Sequence, residues 1–302
     1  MPFRHILLAI SVPLLWGIGF VVTKPGMEQL PPMLINGLRW GLTGLILVWW
    51  VPLPRNLLKN LLLVSFIGCT VQYSLTFSGL NIIEASSAVL FVQMEVPFGV
   101  LIAFFILKER PSIKNIIGIA IAFIGLIVLS GAPNLEGKYL GVVLVLLGAF
   151  TWAFGQVLVK PISEKINGIV ITAWLGIFAG PQLILASHFF EGNVINNILL
   201  ADYQAWLIVL YLAILMNGVG YSIWYYVLGI YPVNKVLPVM LLLPVTGVIT
   251  AILLLGEKIT INVLIGGLII IFGVGMILIN KNKKTNNKTN YHDKINNDFK
   301  KI

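Results

Sequence analysis

Ten apolar runs, each close to the length of a membrane-crossing helix, constrain this chain more than any other feature. They cover residues 4–23, 33–51, 57–79, 85–107, 113–131, 138–159, 168–188, 205–229, 234–255 and 261–280. A hydrocarbon layer about 30 Å thick is crossed by a helix of about 20 residues. The runs are continuously apolar rather than alternating, so they predict helices and not barrel strands. Composition agrees: only 10% of the residues are charged and the mean hydropathy is +0.96, whereas soluble domains carry about 25% charged residues. The expected fold class is an all-α integral membrane protein with ten transmembrane helices. The first run has a basic residue, Arg4, ahead of it, as a secretory signal would. It also contains Pro13 and Trp16 and lacks a small-x-small cleavage pattern, so it reads as a retained helix.

The net charge of +9 does not imply nucleic acid, because basic residues gather beside helix ends and in the last stretch of the chain. If residue 1 is cytoplasmic, Arg4, Arg55, Lys59, Lys108, Arg110, Lys114, Lys160, Lys165 and Lys235 lie inside with the tail lysines, against Lys24, Lys138 and Lys258 outside. That bias predicts a multi-pass protein with both termini in the cytoplasm. Residues 281–302, rich in Lys and Asn and without apolar period, predict a disordered cytoplasmic tail. The lone Cys69 can form no intrachain disulfide, and no Cys/His spacing suits a metal. No G-x-x-x-x-G-K-[ST] loop is present, so neither a cofactor nor ATP hydrolysis is expected.

Two stretches are near copies. "LLWGIGFVVTKPG" and "FTWAFGQVLVKPI" align at a shift of 136, pairing Trp16 with Trp152, Gly19 with Gly155, Lys24 with Lys160 and Pro25 with Pro161. Later, a shift of 148 pairs Glu109 with Glu257, Gly118 with Gly266 and Gly125 with Gly273. One longer loop, "HFFEGNVINNILLADYQ", accounts for the change of offset. The chain therefore reads as two five-helix repeats, residues 4–131 and 138–280. An odd number of helices per repeat inverts the second relative to the first, the construction of an alternating-access carrier.

The W-G-x-x-F near the first helix, "MEQLPPMLINGLRW" leading into the second, "ILLLGEKI" closing the ninth and the five-plus-five layout resemble the EamA family of the drug/metabolite transporter superfamily. "PPMLINGLRW" and "VGYSIWYYVLGIYPVNKVLPVMLLLPV" are most similar to its cysteine and O-acetylserine exporter branch. The resemblance covers residues 4 to about 280. It implies an inner-membrane exporter of small amino acids or amino-acid-like metabolites, with a cavity between helices one, three, four, six, eight and nine. It also implies an uncharged residue such as Gln at position 95, where this chain has Glu95.

Ionisable groups inside hydrocarbon cost a few kcal/mol and need a reason. Glu95 lies in "FVQMEVPF", two residues before Pro97, which withholds a backbone donor. Ser87, Phe91 and Glu95, four apart, would share a helical face. Glu95 would then either couple a proton or meet a substrate amine, or form a buried pair with Arg39 or a lysine. Arg39, early in the second run near the outer face, can snorkel to water, and it reads as an anchor or an ion pair at a helix end, with substrate binding as the alternative. Lys24 and Lys160 read as interfacial helix ends or as gates. Further cavity candidates are Trp16 and Phe20, Trp152 and Gln156, Gln72 and Thr76, and the stripe Asn217, Tyr221 and Trp224. Small residues at 118, 122 and 125 and at 266 and 273 would let helices touch within the chain or in a homodimer.

Two rival classes make different demands. An intramembrane lipid enzyme needs paired carboxylates or a nucleophile and base at one depth, and the runs hold one carboxylate, Glu95. A sensor or scaffold would bind without flux. The expected partners are a small-molecule substrate, the lipid bilayer and coupled protons, with no nucleic acid.

Overall fold

The computed structural model describes residues 3–107, 111–231 and 237–278. Helix dominates them, and no strand occurs among the described residues. The principal helices are α1 (Phe3–Gly26), α2 (Pro32–Leu47), α3 (Arg55–Ile82), α4 (Ala85–Val92), α5 (Glu95–Leu107) and α6 (Ile113–Ser130). They continue with α7 (Tyr139–Ser163), α8 (Gly168–Phe190), the short α9 (Val194–Leu200), α10 (Tyr203–Ile230), α11 (Leu242–Leu255) and α12 (Ile261–Leu278).

Eight helices among the described residues are long and apolar enough to cross a membrane, α4 counting together with the start of α5. The chain is a multi-pass membrane protein. The second and ninth apolar runs depart from full-length helices. The second stops at Leu47, bounded by Pro31–Pro32 and by the exposed Trp49 and Trp50, while the ninth opens with a tight 3-10 stretch, Leu237–Leu241. The tail at 281–302 and Glu109 lie outside the described residues.

Breaks inside the helices follow from sequence. Pro97 has no N–H to give the Gln93 carbonyl, which instead accepts from Val96 N at 3.2 Å. The turn tightens at Gln93–Met94 and divides the fourth run into α4 and α5. Of the three residues expected to share a face, Ser87 and Phe91 lie together in α4, and Glu95 follows the turn as the first residue of α5. Two π-helical stretches, Phe66–Val71 within α3 and Leu212–Tyr221 within α10, widen those helices. Carbonyls in the second are taken by side chains from other helices. Thr43 donates to Ala213 O at 2.8 Å and Trp16 Nε1 to Met216 O at 3.1 Å.

Helix pairs approach through small residues. A Cβ on Gly180 would lie 2.5 Å from Gly41 Cα, joining α2 to α8. One on Gly155 would lie 2.6 Å from Gly68 Cα, joining α7 to α3. Gly118, Ala122 and Gly125 of α6 face Gly266 and Gly273 of α12; a Cβ on Gly273 would meet Ala122 N at 2.6 Å. Those stripes pack inside one chain, which leaves the homodimer expectation without the surface it rested on.

Helix starts are closed by distant carboxylates. Pro31 and Pro32 offer no N–H, so the first free donors of α2 are Met33 N and Leu34 N, and Glu191 accepts both at 2.7 and 3.2 Å. Glu257 accepts Ala85 N at 2.7 Å and Ser86 N at 2.9 Å at the start of α4. Each anion faces the positive end of a helix dipole. Asp202, exposed ahead of α10, accepts Ala205 N at 2.9 Å, a bond that holds its carboxyl below the usual range.

Candidate functional site

Aromatic rings from α1, α2, α3 and α10 meet in one continuous cluster. Trp16 lies 4.5 Å from Tyr221 and 5.8 Å from Trp224 between ring centroids, and Trp40 lies 5.2 Å from Tyr221. Tyr73 stacks on Phe77 at 5.4 Å, and Phe77 reaches Phe20 at 5.5 Å. The hydroxyls of Tyr73 and Tyr221 share a hydrogen bond of 2.7 Å across the cluster. A Cβ at Gly220 would meet Trp16 Nε1 at 2.6 Å, so only glycine there admits the indole.

Beside the cluster runs a narrow pocket with room for about one water molecule. Its walls include Cys69 and Gly68 of α3, Trp152 and Gln156 of α7, and Tyr221 and Tyr225 of α10. Tyr221 belongs to both pocket and cluster. Four of the sequence candidates, Trp16, Phe20, Tyr221 and Trp224, thus join one aromatic body, and Trp152 and Gln156 join it through the pocket. Gln72 and Thr76 are buried and bonded to each other at 3.0 Å. Ser87 is buried next to Asn134, and Phe91 is buried without exposure.

The charged candidates stand in four different surroundings. Arg39 does not snorkel. It lies fully buried, seven residues into a 16-residue helix, with Cζ 4.4 Å above the Tyr73 ring and 5.3 Å from that of Phe77. Its Nη1 points to Met216 Sδ at 3.5 Å. Lys24 is part-buried: Nζ donates to Ile83 O at 2.6 Å and pairs with Glu257 at 3.8 Å. Lys160, its sequence counterpart, is exposed. Glu95 is buried and forms no ion pair with Arg39 or any lysine among the described residues.

Several buried polar atoms lack a protein partner. They include Nε and Nη2 of Arg39, both side-chain polar atoms of Asn217, and the indole nitrogens of Trp40 and Trp224. Tyr73, Phe77 and Trp40 were missed by the sequence reading. The usable signal was the four-residue spacing of Tyr73 and Phe77 and the adjacency of Arg39 to Trp40. Among the described residues no group of His, Cys, Asp and Glu is placed to hold a metal.

The model of the EamA-like transporter family matches this chain twice, over residues 3–131 and 139–279. The chain belongs to the EamA-like transporter family. It is a membrane transporter. A protein of Salmonella typhimurium named "Probable amino-acid metabolite efflux pump" is 33% identical over 276 residues, covering 88% of this chain and 92% of that protein. Its Escherichia coli K12 namesake is 32% identical over the same shares. An uncharacterized transporter, YoaV of Bacillus subtilis, is 27% identical over 88% of this chain and 94% of its own length. One solved crystal structure shares the fold at a TM-score of 0.66 and 17% identity, over 93% of this EamA-like chain and 99% of the other.

Proposed function

We propose that this EamA-like transporter is a secondary carrier that exports small amino acids or amino-acid-like metabolites by alternating access. The similarity over nearly full length to two proteins named as amino-acid metabolite efflux pumps carries this reading. The buried pocket lined from α3, α7, α8 and α10 supports it, since solute sites in such carriers lie between repeats.

The proposed architecture is ten transmembrane helices in two inverted repeats, residues 4–131 and 138–280. The double family match supports it, as does the recurrence of a π-helical stretch in the third helix of each half. A helical break before Pro97 and another before Pro244 recur in the same way. Under this reading the carrier sits in a bacterial inner membrane with both termini in the cytoplasm, and the Lys24–Glu257 pair closes the outer end. The pocket, near Val64 and Val159, then opens toward the inner side, where an exporter loads.

Glu95 is the proposed coupling acid. A buried carboxyl without an ion-pair partner can change protonation as the surrounding helices move. Counterflow of labelled cysteine, O-acetylserine, serine and threonine into proteoliposomes tests both parts across a range of pH. One or more solutes should exchange, and Glu95→Gln should exchange at a rate that no longer varies with pH. Exchange of none of them by folded protein would reject the substrate class, and an unchanged pH profile in the variant would reject Glu95.

A further inference from the structure

A buried guanidinium with two nitrogens unanswered by protein is the least self-sufficient group in this molecule. Arg39 is without exposure, so its Nε and Nη2 hydrogens cannot be met by bulk solvent. What it does meet is weak: a thioether sulfur, two aromatic faces and the neighbouring Tyr73 hydroxyl. Cation–π contacts of this kind stabilise by about 0.5–2 kcal/mol, less than the several kcal/mol of effective cost for an ion removed from water. Nor is there a carboxylate within ion-pair distance among the described residues.

The geometry around Arg39 suits a planar anion. Guanidinium hydrogens form a rigid fork that binds a carboxylate through two parallel bonds. Met216, which touches Nη1, precedes Asn217, whose buried amide also has no protein partner. The ring of Tyr73 under the guanidinium is bonded through its hydroxyl to Tyr221, and Tyr221 walls the pocket. The Tyr73–Tyr221 pair thus links the wall of the pocket to the ring that lies under the fork.

We infer that Arg39 is the receptor for the carboxylate of the transported solute, engaged when the Tyr73–Tyr221 pair opens. This deepens the carrier reading above and rests on it for the solute class. The carboxylate replaces the missing acceptors of a cation that the fold already holds in place. An amino acid and its carboxamide differ little in size, yet only the acid supplies an anionic pair of oxygens.

The test uses the full-length carrier, both in detergent for thermal unfolding and in proteoliposomes for exchange. The probes are serine against serinamide, O-acetylserine against its carboxamide, and sodium chloride. Acids should raise the unfolding midpoint of the wild type, and amides should not. Arg39→Met should lower apparent affinity for the acids at least tenfold while its unliganded midpoint stays equal or rises, because a buried charge has been removed. Arg39→Lys, which keeps the charge without the fork, should fall between. Equal protection by acids and amides would overturn the inference, as would acid binding that survives in Arg39→Met. Equal protection by chloride would also overturn it, leaving an inorganic-anion site. If Arg39→Met does not fold, the acid and amide comparison in the wild type decides. Acid binding through Arg39 without exchange would reject the carrier substrate and keep the receptor. Exchange that ignores the carboxylate would do the reverse.

Discussion

At the scale of single residues, the Tyr73–Tyr221 hydrogen bond is the contact whose strength can be isolated most cleanly. Both rings are buried, and each hydroxyl answers the other at 2.7 Å. Removing one hydroxyl leaves its partner unsatisfied at a cost of about 1–3 kcal/mol, whereas removing both leaves nothing unpaired. Tyr73→Phe and Tyr221→Phe should each lower the thermal midpoint in detergent, and the double variant should be more stable than the sum of the two losses predicts. Strict additivity would mean that the bond contributes nothing. The members of this cluster were only partly legible in sequence. Trp16, Phe20, Tyr221 and Trp224 announce themselves as aromatics at helical spacing beside glycines. Arg39 was misplaced because depth was judged from a span of ordinary length, and α2 is short, held between two prolines and two tryptophans. Its eighth residue, Arg39, is therefore at its middle.

Among the helices, the decisive contacts are those where two backbones touch with no side chain between. Gly155 and Gly68 are the barest example: a Cβ on either would lie 2.6 or 3.1 Å from the other's Cα. Overpacking a tight contact costs about 1–3 kcal/mol, and here the obstruction is backbone that cannot rotate away. Gly155→Val should lower the thermal midpoint and reduce the monodisperse fraction on size-exclusion chromatography, while Gly275→Ala, where a Cβ meets only Leu241 Cδ1 at 3.7 Å, should leave both nearly unchanged. Long apolar helices were legible because hydrocarbon length sets the period of the whole chain. Interruptions were less so. Pro97 signalled a break, but the division of Ser87 and Glu95 between α4 and α5 required the tightened turn at Gln93–Met94. The π stretches gave no compositional sign; in the second, side chains of neighbouring helices bond the carbonyls of Ala213 and Met216, contacts that no local pattern announces.

For the molecule as a whole, the two family matches and the paired motifs speak for halves built alike, yet their environments have diverged. Lys24 is held within the protein and its counterpart Lys160 is exposed. The copied sequence could not tell them apart, because the difference lies in Glu257 and in the α3–α4 turn that Lys24 meets. That turn, the end of α1 and the end of α11 converge on one carboxylate, which also caps α4. If the pair is the outer latch proposed above, it has an electrical consequence. Its lysine and glutamate sum to zero, so moving them together through a transmembrane field does no work, where a single charge would exchange about 2.3 kcal/mol per 100 mV. Opening at that end should be blind to voltage: in the Glu95→Gln carrier, which couples no proton through that site, a potassium diffusion potential imposed with valinomycin should change the exchange rate of an electroneutral solute less than it does once the pair is broken. Lys24→Met strips the latch of its cation and leaves Glu257 to move alone, and the same potential should then change the rate. The wild-type carrier would in this way keep one of its two doors on a hinge that the membrane potential cannot push.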